Sequence, residues 1–324
     1  MGEIIYNTNM DMDEIYKTVQ SYLNEPPLVI WGSGATIGFG LPGMSQLKDE
    51  IGKLLPTFDK TCTDLEVELG KEKYEADLPK IRKIIRDVVS AADLKAKEKL
   101  LKNSDEFEGI CRLTQFCHDP HPKVMNVVST NYDRILEYVW GYNGLHYTDG
   151  FDQQELSEFD EGKFQGKDII NLMKVHGSLD WFDVDHEVRK LYTDFSYDPI
   201  MIPPGKNKYR TTHNSPYREL MQKSDDAIKK ASSFLVVGFG FNDEHITPLV
   251  SKKTKSGTPI VVVTMKVTST TEKELEKAKR VIYIEADADI GKSHIRVVEN
   301  GIVKSESIED GDYWRLNKFM DMLL

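Results

Sequence analysis

The sequence has few cysteines, a deficit of positive charge and no long apolar run. Its three cysteines cannot build a paired disulfide framework or a four-cysteine zinc module, which favours a reducing compartment, most simply the cytoplasm. Lys and Arg number 42 against 53 Asp and Glu, and a net charge of −11 without basic runs argues against direct nucleic-acid binding. The apolar runs fall far short of the roughly 18 residues that a membrane span needs, and no signal peptide is predicted.

What the 324 residues do contain is an alternation of short apolar, β-branched runs with longer amphipathic stretches. This alternation is typical of an α/β fold with a buried parallel sheet. We predict a Rossmann-like parallel sheet with helices on both faces and a helical insertion after the first βα unit. The six core strands are expected at Leu28–Trp31, 124–128, 170–175, Phe234–Val237, 259–264 and 280–284.

The organisation along the chain is predicted in three parts. Residues 1–26 form a helical segment, 27–290 the main domain, and 291–324 a hairpin and a helix. The main domain has a helical insertion at about 49–122 and a long loop at about 179–216. The amphipathic insertion is interpreted as a cap over a site, a subunit interface or a helical layer on the sheet. The loop is interpreted as a lid, a binding loop or a disordered stretch.

A glycine-rich segment follows the first strand directly, reading Gly32-Ser33-Gly34-Ala35-Thr36 and then Gly40-Leu41-Pro42. Glycines after a strand let the backbone approach a pyrophosphate, and a following helix N-terminus adds N–H donors. The spacing departs from the usual G-x-G-x-x-G pattern, and no acidic residue ends a second strand at the expected distance. A standard dehydrogenase is therefore disfavoured, and a glycine turn that only packs a helix on the sheet stays open.

Three further strands end in polar or glycine-containing motifs. The second strand ends in Ser129-Thr130-Asn131-Tyr132-Asp133, the third in His176-Gly177-Ser178, and the fourth in Gly238-Phe239-Gly240-Phe241-Asn242-Asp243. Ligands of open parallel sheets bind beyond the carboxyl ends of the strands, so a site is expected where these motifs meet.

In this order and at successive strand ends, the four motifs resemble those of the sirtuin family of NAD-consuming enzymes. The resemblance covers about residues 27–290 outside the insertion and the long loop. The family's Gly-Ala-Gly-x-Ser and Gly-Ile-Pro are similar to the glycine segment, and its His-Gly-Ser is intact at 176–178. The resemblance implies an NAD site built from Gly32, Ser33, Gly34, Ala35, Thr36, Gly40, Pro42, Thr130, Gly238, Phe239, Gly240, Asn242 and Thr264.

This sequence lacks several residues of the family's motifs, and their absence argues against one of the activities that the resemblance implies. The four zinc cysteines are missing, Gly43-Met44-Ser45 replaces the family's Asp-Phe-Arg, and Thr130 stands where the family has Gln. These absences argue against protein deacylation. The pattern is closer to the bacterial sirtuin-like proteins of anti-phage defence, which hydrolyse NAD. That resemblance implies a homo-oligomer, a partner such as a HerA-type ATPase or an Argonaute-like protein, and no zinc or other metal.

The chemistry of NAD cleavage gives roles to the strand-end side chains. Breaking the nicotinamide–ribose bond develops positive charge on the ribose, as in other glycosidic cleavages. Asn131 is predicted to orient a water or the ribose hydroxyls, and His176 to act as general base. Asp133 is predicted to orient a partner or to stabilise the cation.

Two other functions stay open from the sequence. One is a protein deacylase or ADP-ribosyltransferase, and the other is a non-catalytic subunit that binds NAD or ADP-ribose. Asp243-Glu244-His245 is expected either to reach the site or to cap the next helix. The cluster of Cys111, Cys117, His118 and His121 matches no zinc-ligand spacing.

Overall fold

The computed structural model of the chain describes residues 10–152, 154–191, 199–205 and 214–324. The helices are α1 (Met12–Tyr22), α2 (Met44–Leu54), α3 (Leu65–Leu69), α4 (Leu78–Lys102), α5 (Glu108–His118), α6 (Ile135–Tyr142), α7 (Tyr217–Lys230), α8 (Ile246–Ser256), α9 (Ser269–Leu275) and α10 (Leu316–Phe319). The strands are β1 (Leu28–Trp31), β2 (Val124–Ser129), β3 (Tyr147–Thr148), β4 (Ser157–Glu158), β5 (Ile169–Lys174), β6 (Trp181–Val184), β7 (Glu187–Lys190), β8 (Phe234–Val237), β9 (Ile260–Val263), β10 (Arg280–Ala286), β11 (Lys292–Glu299) and β12 (Ile302–Asp310).

Nine strands form one large sheet in the order β12-β11-β10-β9-β8-β1-β2-β5-β3. The strands from β10 to β3 are parallel to their neighbours, while β11 and β12 pair antiparallel at one edge. From β1 the chain first continues through β2 and β5 on one side, and later through β8, β9 and β10 on the other. The order therefore reverses at β1, which is where open α/β sheets form their ligand crevice.

Helices cover both faces of the sheet because the central strands are apolar on both faces. In β1, Val29 and Trp31 belong to one core and Leu28 and Ile30 to the other, and all four are buried. The first core includes side chains of α1, α2, α4, α5 and α6, and the second includes side chains of α7 and α8. This arrangement confirms the predicted fold class.

The insertion between β1 and β2 is helical and lies on the first core. Helix α4 buries Ile81, Ile84, Ile85 and Val89, which are members of its predicted apolar stripe. At the start of α3, Asp64 accepts the N–H groups of the first turn.

The structure differs from the sequence expectations in two places. The segment 179–216 is not irregular throughout, because β6 and β7 form a hairpin that pairs with β4. Asp185 and His186 turn this hairpin with φ of 54° and 69°, which is unlike the usual Asn-Gly signal. Residues 192–198 and 206–213 of the segment lie outside the described residues. The terminal helix expected over 312–324 is reduced to α10 and a 3₁₀ turn, since Gly311 and a side-chain bond within Asp312–Trp314 hold a turn there.

No helix within the described ranges combines the length and the apolar character that crossing a membrane requires.

Candidate functional site

A cavity of about 350 Å³ lies at the carboxyl ends of β8, β1, β2 and β5. It brings Asn131, Asp133 and His176 together, although these residues follow two different strands. Three predicted binding residues, Gly32, Ala35 and Gly40, are not among the residues that line it. Of the other predicted residues, the following line it: Ser33, Gly34, Thr36, Pro42, Thr130, Gly238, Phe239, Gly240, Asn242 and Thr264.

The glycines after β1 and β8 permit a close approach of two loops. The Gly34 N–H donates to the Gly238 carbonyl at 2.9 Å. A Cβ on Gly32 would lie 2.5 Å from the Gly238 oxygen, and one on Gly238 would lie 2.0 Å from the Ala35 nitrogen. Gly238 also has φ of +61°, a conformation that glycine adopts without a steric cost. These glycines are therefore required by the fold itself, whatever they contribute to a ligand.

The prediction that the N-terminus of a helix follows the glycine segment directly is wrong. Two 3₁₀ turns, Ser33–Ala35 and Ile37–Phe39, follow β1, and α2 begins only at Met44. The N–H groups of Gly32, Gly34, Ala35 and Thr36 donate within the protein.

Asn131 is held by the glycine segment and keeps one oxygen without a protein partner. Its Nδ2 lies 3.2 Å from the Gly32 carbonyl oxygen and 3.4 Å from the Thr36 hydroxyl. Its backbone N–H donates to the Ser129 hydroxyl at 3.1 Å. Its Oδ1 is buried and has no hydrogen-bond partner in the described part of the chain. Because buried amide oxygens normally have a donor, this atom points to a hydroxyl or water of a ligand complex.

Asp133 is a buried carboxyl beside the same segment. Its Oδ2 lies 3.2 Å from the Thr36 hydroxyl, and its Oδ1 accepts from the Ile135 N–H at 3.3 Å. Burial raises the pKa of Asp133 to about 7, while Lys174 opposes this shift and the nearby Asp93 and Glu137 add to it. Asp133 can therefore change its charge near neutral pH.

This shift predicts a pH-dependent stability. The pKa of Asp133 in the fold, about 7, lies above the value of about 3.9 of an unfolded Asp, so the contribution of this group is full at low pH and is lost as the pH rises through 7. The unfolding free energy of Asp133→Asn minus that of the wild type should therefore increase by about 2 kcal/mol from pH 5 to pH 8. Urea unfolding at both pH values measures this. Asp105→Asn, which changes an exposed carboxylate, is the control. The prediction would be contradicted if the difference in unfolding free energy between Asp133→Asn and the wild type were the same at pH 5 and pH 8.

His176 and Asp243 meet at the edge of the cavity. The His176 Nε2 lies 2.9 Å from the Asp243 Oδ2, and both side chains are buried. The Asp243 Oδ1 accepts the N–H groups of His245 and Ile246 at 2.9 and 2.7 Å, in the first turn of α8. Asp243 therefore lines the cavity and also accepts N–H groups at the start of the next helix.

Lys174 is a charged side chain behind the site that sequence reasoning missed. It is fully buried, and its Nζ contacts the Asp133 carbonyl at 2.7 Å, the Glu137 carboxylate at 2.6 Å and the Ser178 hydroxyl at 2.8 Å. These contacts connect the loop after β2 with the loop after β5. A lysine at the end of a mostly apolar strand, two residues before His176, was the available signal.

The insertion contributes to the wall of the cavity. Glu66 of α3, Val89 of α4, and Met44 and Leu47 of α2 line it. Glu66 and Val89 belong to the insertion predicted at about 49–122, while Met44 and Leu47 lie just before it. Nothing in the spacing of these residues marks them as cavity-lining, because their position depends on how the helices pack.

The described residues contain no group of three or more His, Cys, Asp or Glu side chains placed to hold a metal ion. Cys117 is buried in the first core, and burial raises the pKa of its thiol. Cys111 instead lies 3.2 Å from the Asn143 amide nitrogen.

Comparisons with known proteins find a family model that is similar to part of this chain. Residues 125–284, just under half of the chain, match the family model described as SIR2-like domain. This match includes β2, β5 and β8 with the loops that carry Asn131, His176 and Asp243. No curated protein matches the chain.

Sirtuins are among the solved structures that are similar to the chain. One, from work on sirtuin substrate affinity, has a TM-score of 0.47 at 13% identity and covers 86% of this chain and 95% of that one. A second, from work on the mechanism and regulation of Sir2 enzymes, has a TM-score of 0.45 at 13% identity and covers 82% and 90%. A third, a complex of a SIR2 homologue with NAD, has a TM-score of 0.41 at 12% identity and covers 82% and 87%.

Proposed function

We propose that the protein hydrolyses NAD⁺ to nicotinamide and ADP-ribose. The observation that carries this proposal is the convergence of Asn131, Asp133 and His176 in one cavity beside the glycine segment. The match of residues 125–284 to the SIR2-like domain supports NAD-dependent activity of the sirtuin type. The residues present fit the dinucleotide, because the buried Asn131 Oδ1 offers an acceptor and because Gly34, Gly238 and Gly240 place backbone without a side chain in the cavity wall.

The proposed reaction breaks the bond between the nicotinamide nitrogen and the ribose C1′. The electron pair stays on the nitrogen, so nicotinamide leaves as a neutral molecule and needs no acid. The positive charge that develops on the ribose is stabilised by Asp133 in its ionised form. A water held by the Asn131 Oδ1 adds to C1′, and His176 accepts its proton.

The wider biological role is also a proposal. Depletion of cellular NAD⁺ in anti-phage defence, as a homo-oligomer with a HerA-type ATPase or another partner, is supported by the motif resemblance. The missing zinc cysteines support hydrolysis over protein deacylation, because sirtuin deacylases carry that zinc module.

Chromatography of nicotinamide and ADP-ribose after incubation of the purified chain with NAD⁺ tests the proposal. We expect equal amounts of the two products without any acylated peptide. Products that appear only with an acetyl-lysine peptide would establish a deacylase instead. Calorimetric binding of NAD⁺ without product, also in the presence of the protein encoded next to it, would establish a binding subunit. Either result would overturn the proposed hydrolysis.

A further inference from the structure

We propose that Asp243 is a positioning residue for His176, which it holds with Nε2 towards the carboxylate and Nδ1 available to the substrate. This inference rests on the proposed function and assigns a role to Asp243, for which the sequence leaves open a place at the site or at the start of the next helix. A carboxylate beside an imidazole orients the ring and selects its tautomer in many enzymes that use histidine as a base.

The first support is the geometry of the pair. The His176 Nε2 and the Asp243 Oδ2 are 2.9 Å apart, and the side chains are only 8% and 4% exposed. The two atoms are as close as the partners of an ion pair, but they are not aligned well enough to form a hydrogen bond. Loose contacts of this kind are common at catalytic groups before the substrate binds, and they tighten in the reacting complex.

The second support is the anchoring of Asp243 itself. Its Oδ1 accepts two backbone N–H groups at the first turn of α8, so one oxygen fixes the carboxylate and the other faces His176. An acid held in this way is a rigid support for an imidazole ring, because rotation of the carboxylate would break the bonds to α8.

The chemical consequence concerns the two ring nitrogens. A hydrogen on Nε2 faces the Asp243 carboxylate, which leaves the lone pair on Nδ1. His176 lines the cavity, so Nδ1 is the nitrogen that can accept a proton from the attacking water or from a ribose hydroxyl. Without Asp243 the ring could rotate, and either nitrogen could carry the hydrogen.

A second histidine–aspartate pair close by provides a matched control. The His245 Nε2 lies 2.8 Å from the Asp225 Oδ1, with side chains that are 33% and 27% exposed, and neither residue lines the cavity. This pair has nearly the same separation as the pair of His176 and Asp243. Its disruption therefore reports the cost of losing such a contact without touching the proposed base.

The test is Asp243→Asn, measured by the rate of nicotinamide release. The new amide oxygen can keep the bonds to α8, since Asn is as good a capping residue as Asp. The amide nitrogen then donates to the His176 Nε2 and forces the ring hydrogen onto Nδ1, as in the aspartate-to-asparagine change of serine proteases. We expect kcat to fall by about 100-fold or more with little change in KM. Asp243→Glu, which restores the negative charge, should recover part of kcat.

The control Asp225→Asn should keep kcat within about twofold of the wild type, in line with its position outside the cavity. Nitrogen-15 NMR of labelled histidine, with His176→Gln to assign the signal, should show the hydrogen on Nε2 in the wild type and on Nδ1 in Asp243→Asn. Equal kcat in the Asp243→Asn and Asp225→Asn variants, or the same His176 tautomer in wild type and Asp243→Asn, would overturn the inference. A wild type without nicotinamide release would refute the proposed function, while the NMR result would still decide the orientation of His176.

Discussion

Asn131→Ala is expected to release nicotinamide from NAD⁺ at least about 100-fold more slowly than the wild type. The amide oxygen of Asn131 is buried and has no donor among the described residues, and Asn131 lines the cavity, so a bound water or hydroxyl is its natural partner. Removal of this acceptor leaves the nucleophile unoriented while the positive charge develops. Initial rates of nicotinamide formation at saturating NAD⁺ measure the effect.

The fold should survive this change. Asn131→Ala loses the bond from Nδ2 to the Gly32 carbonyl but also removes a buried oxygen without a partner, so the net change in unfolding free energy should stay within about 1 kcal/mol. Asn103→Ala, at an exposed position after α4, is the control for loss of an amide. A wild-type rate in Asn131→Ala, with both variants folded, would remove Asn131 from the mechanism and weaken the proposed hydrolysis.

The parts of the fold that sequence reasoning reached are those set by local pattern. Strands such as β1 and β8 are apolar at every position because both of their faces are covered, and this leaves a plain signal in the sequence. Asn131 and His176 could be predicted as neighbours because parallel strands bring their carboxyl ends to one edge. Neither prediction required knowledge of how distant segments pack.

The parts that sequence reasoning missed depend on long-range packing. Glu66 reaches the cavity because of the way the insertion folds back over the sheet. Lys174 is placed by contacts with α6 and with the loops after β2 and β5, and no local pattern encodes such a set. The contact of Asp243 with His176 could be raised only as an alternative, because a loop after β8 must cross towards β5 to make it.

The glycine segment shows that one sequence pattern can indicate either a diphosphate-binding loop or a close contact between two loops. Its glycines predicted a backbone cradle for a diphosphate, yet most of its N–H groups bond within the protein. The structure shows a different reason for these glycines, because a side chain at their positions would clash with the loop after β8. The sequence alone could not distinguish ligand binding from loop packing, because the two loops in contact are about 200 residues apart along the chain.

Gly238→Ala is therefore expected to destabilise the protein severely, by at least about 4 kcal/mol. The added Cβ would lie 2.0 Å from the Ala35 nitrogen and 2.4 Å from the Gly34 carbonyl carbon, which are backbone atoms that cannot rotate away. The φ of +61° adds the strain of a left-handed conformation. The midpoint of thermal unfolding should fall by about 10 °C or more, or soluble protein should be lost.

Gly38→Ala is the matched control in the same glycine-rich segment. A Cβ on Gly38 would meet nothing within 4 Å, so this variant should unfold within about 2 °C of the wild type. Equal stability of the Gly38→Ala and Gly238→Ala variants would show that the two loops can separate at little cost. The close contact between the loops after β1 and β8 would then not be what fixes the wall of the cavity, and the glycines would have to be explained by the ligand alone.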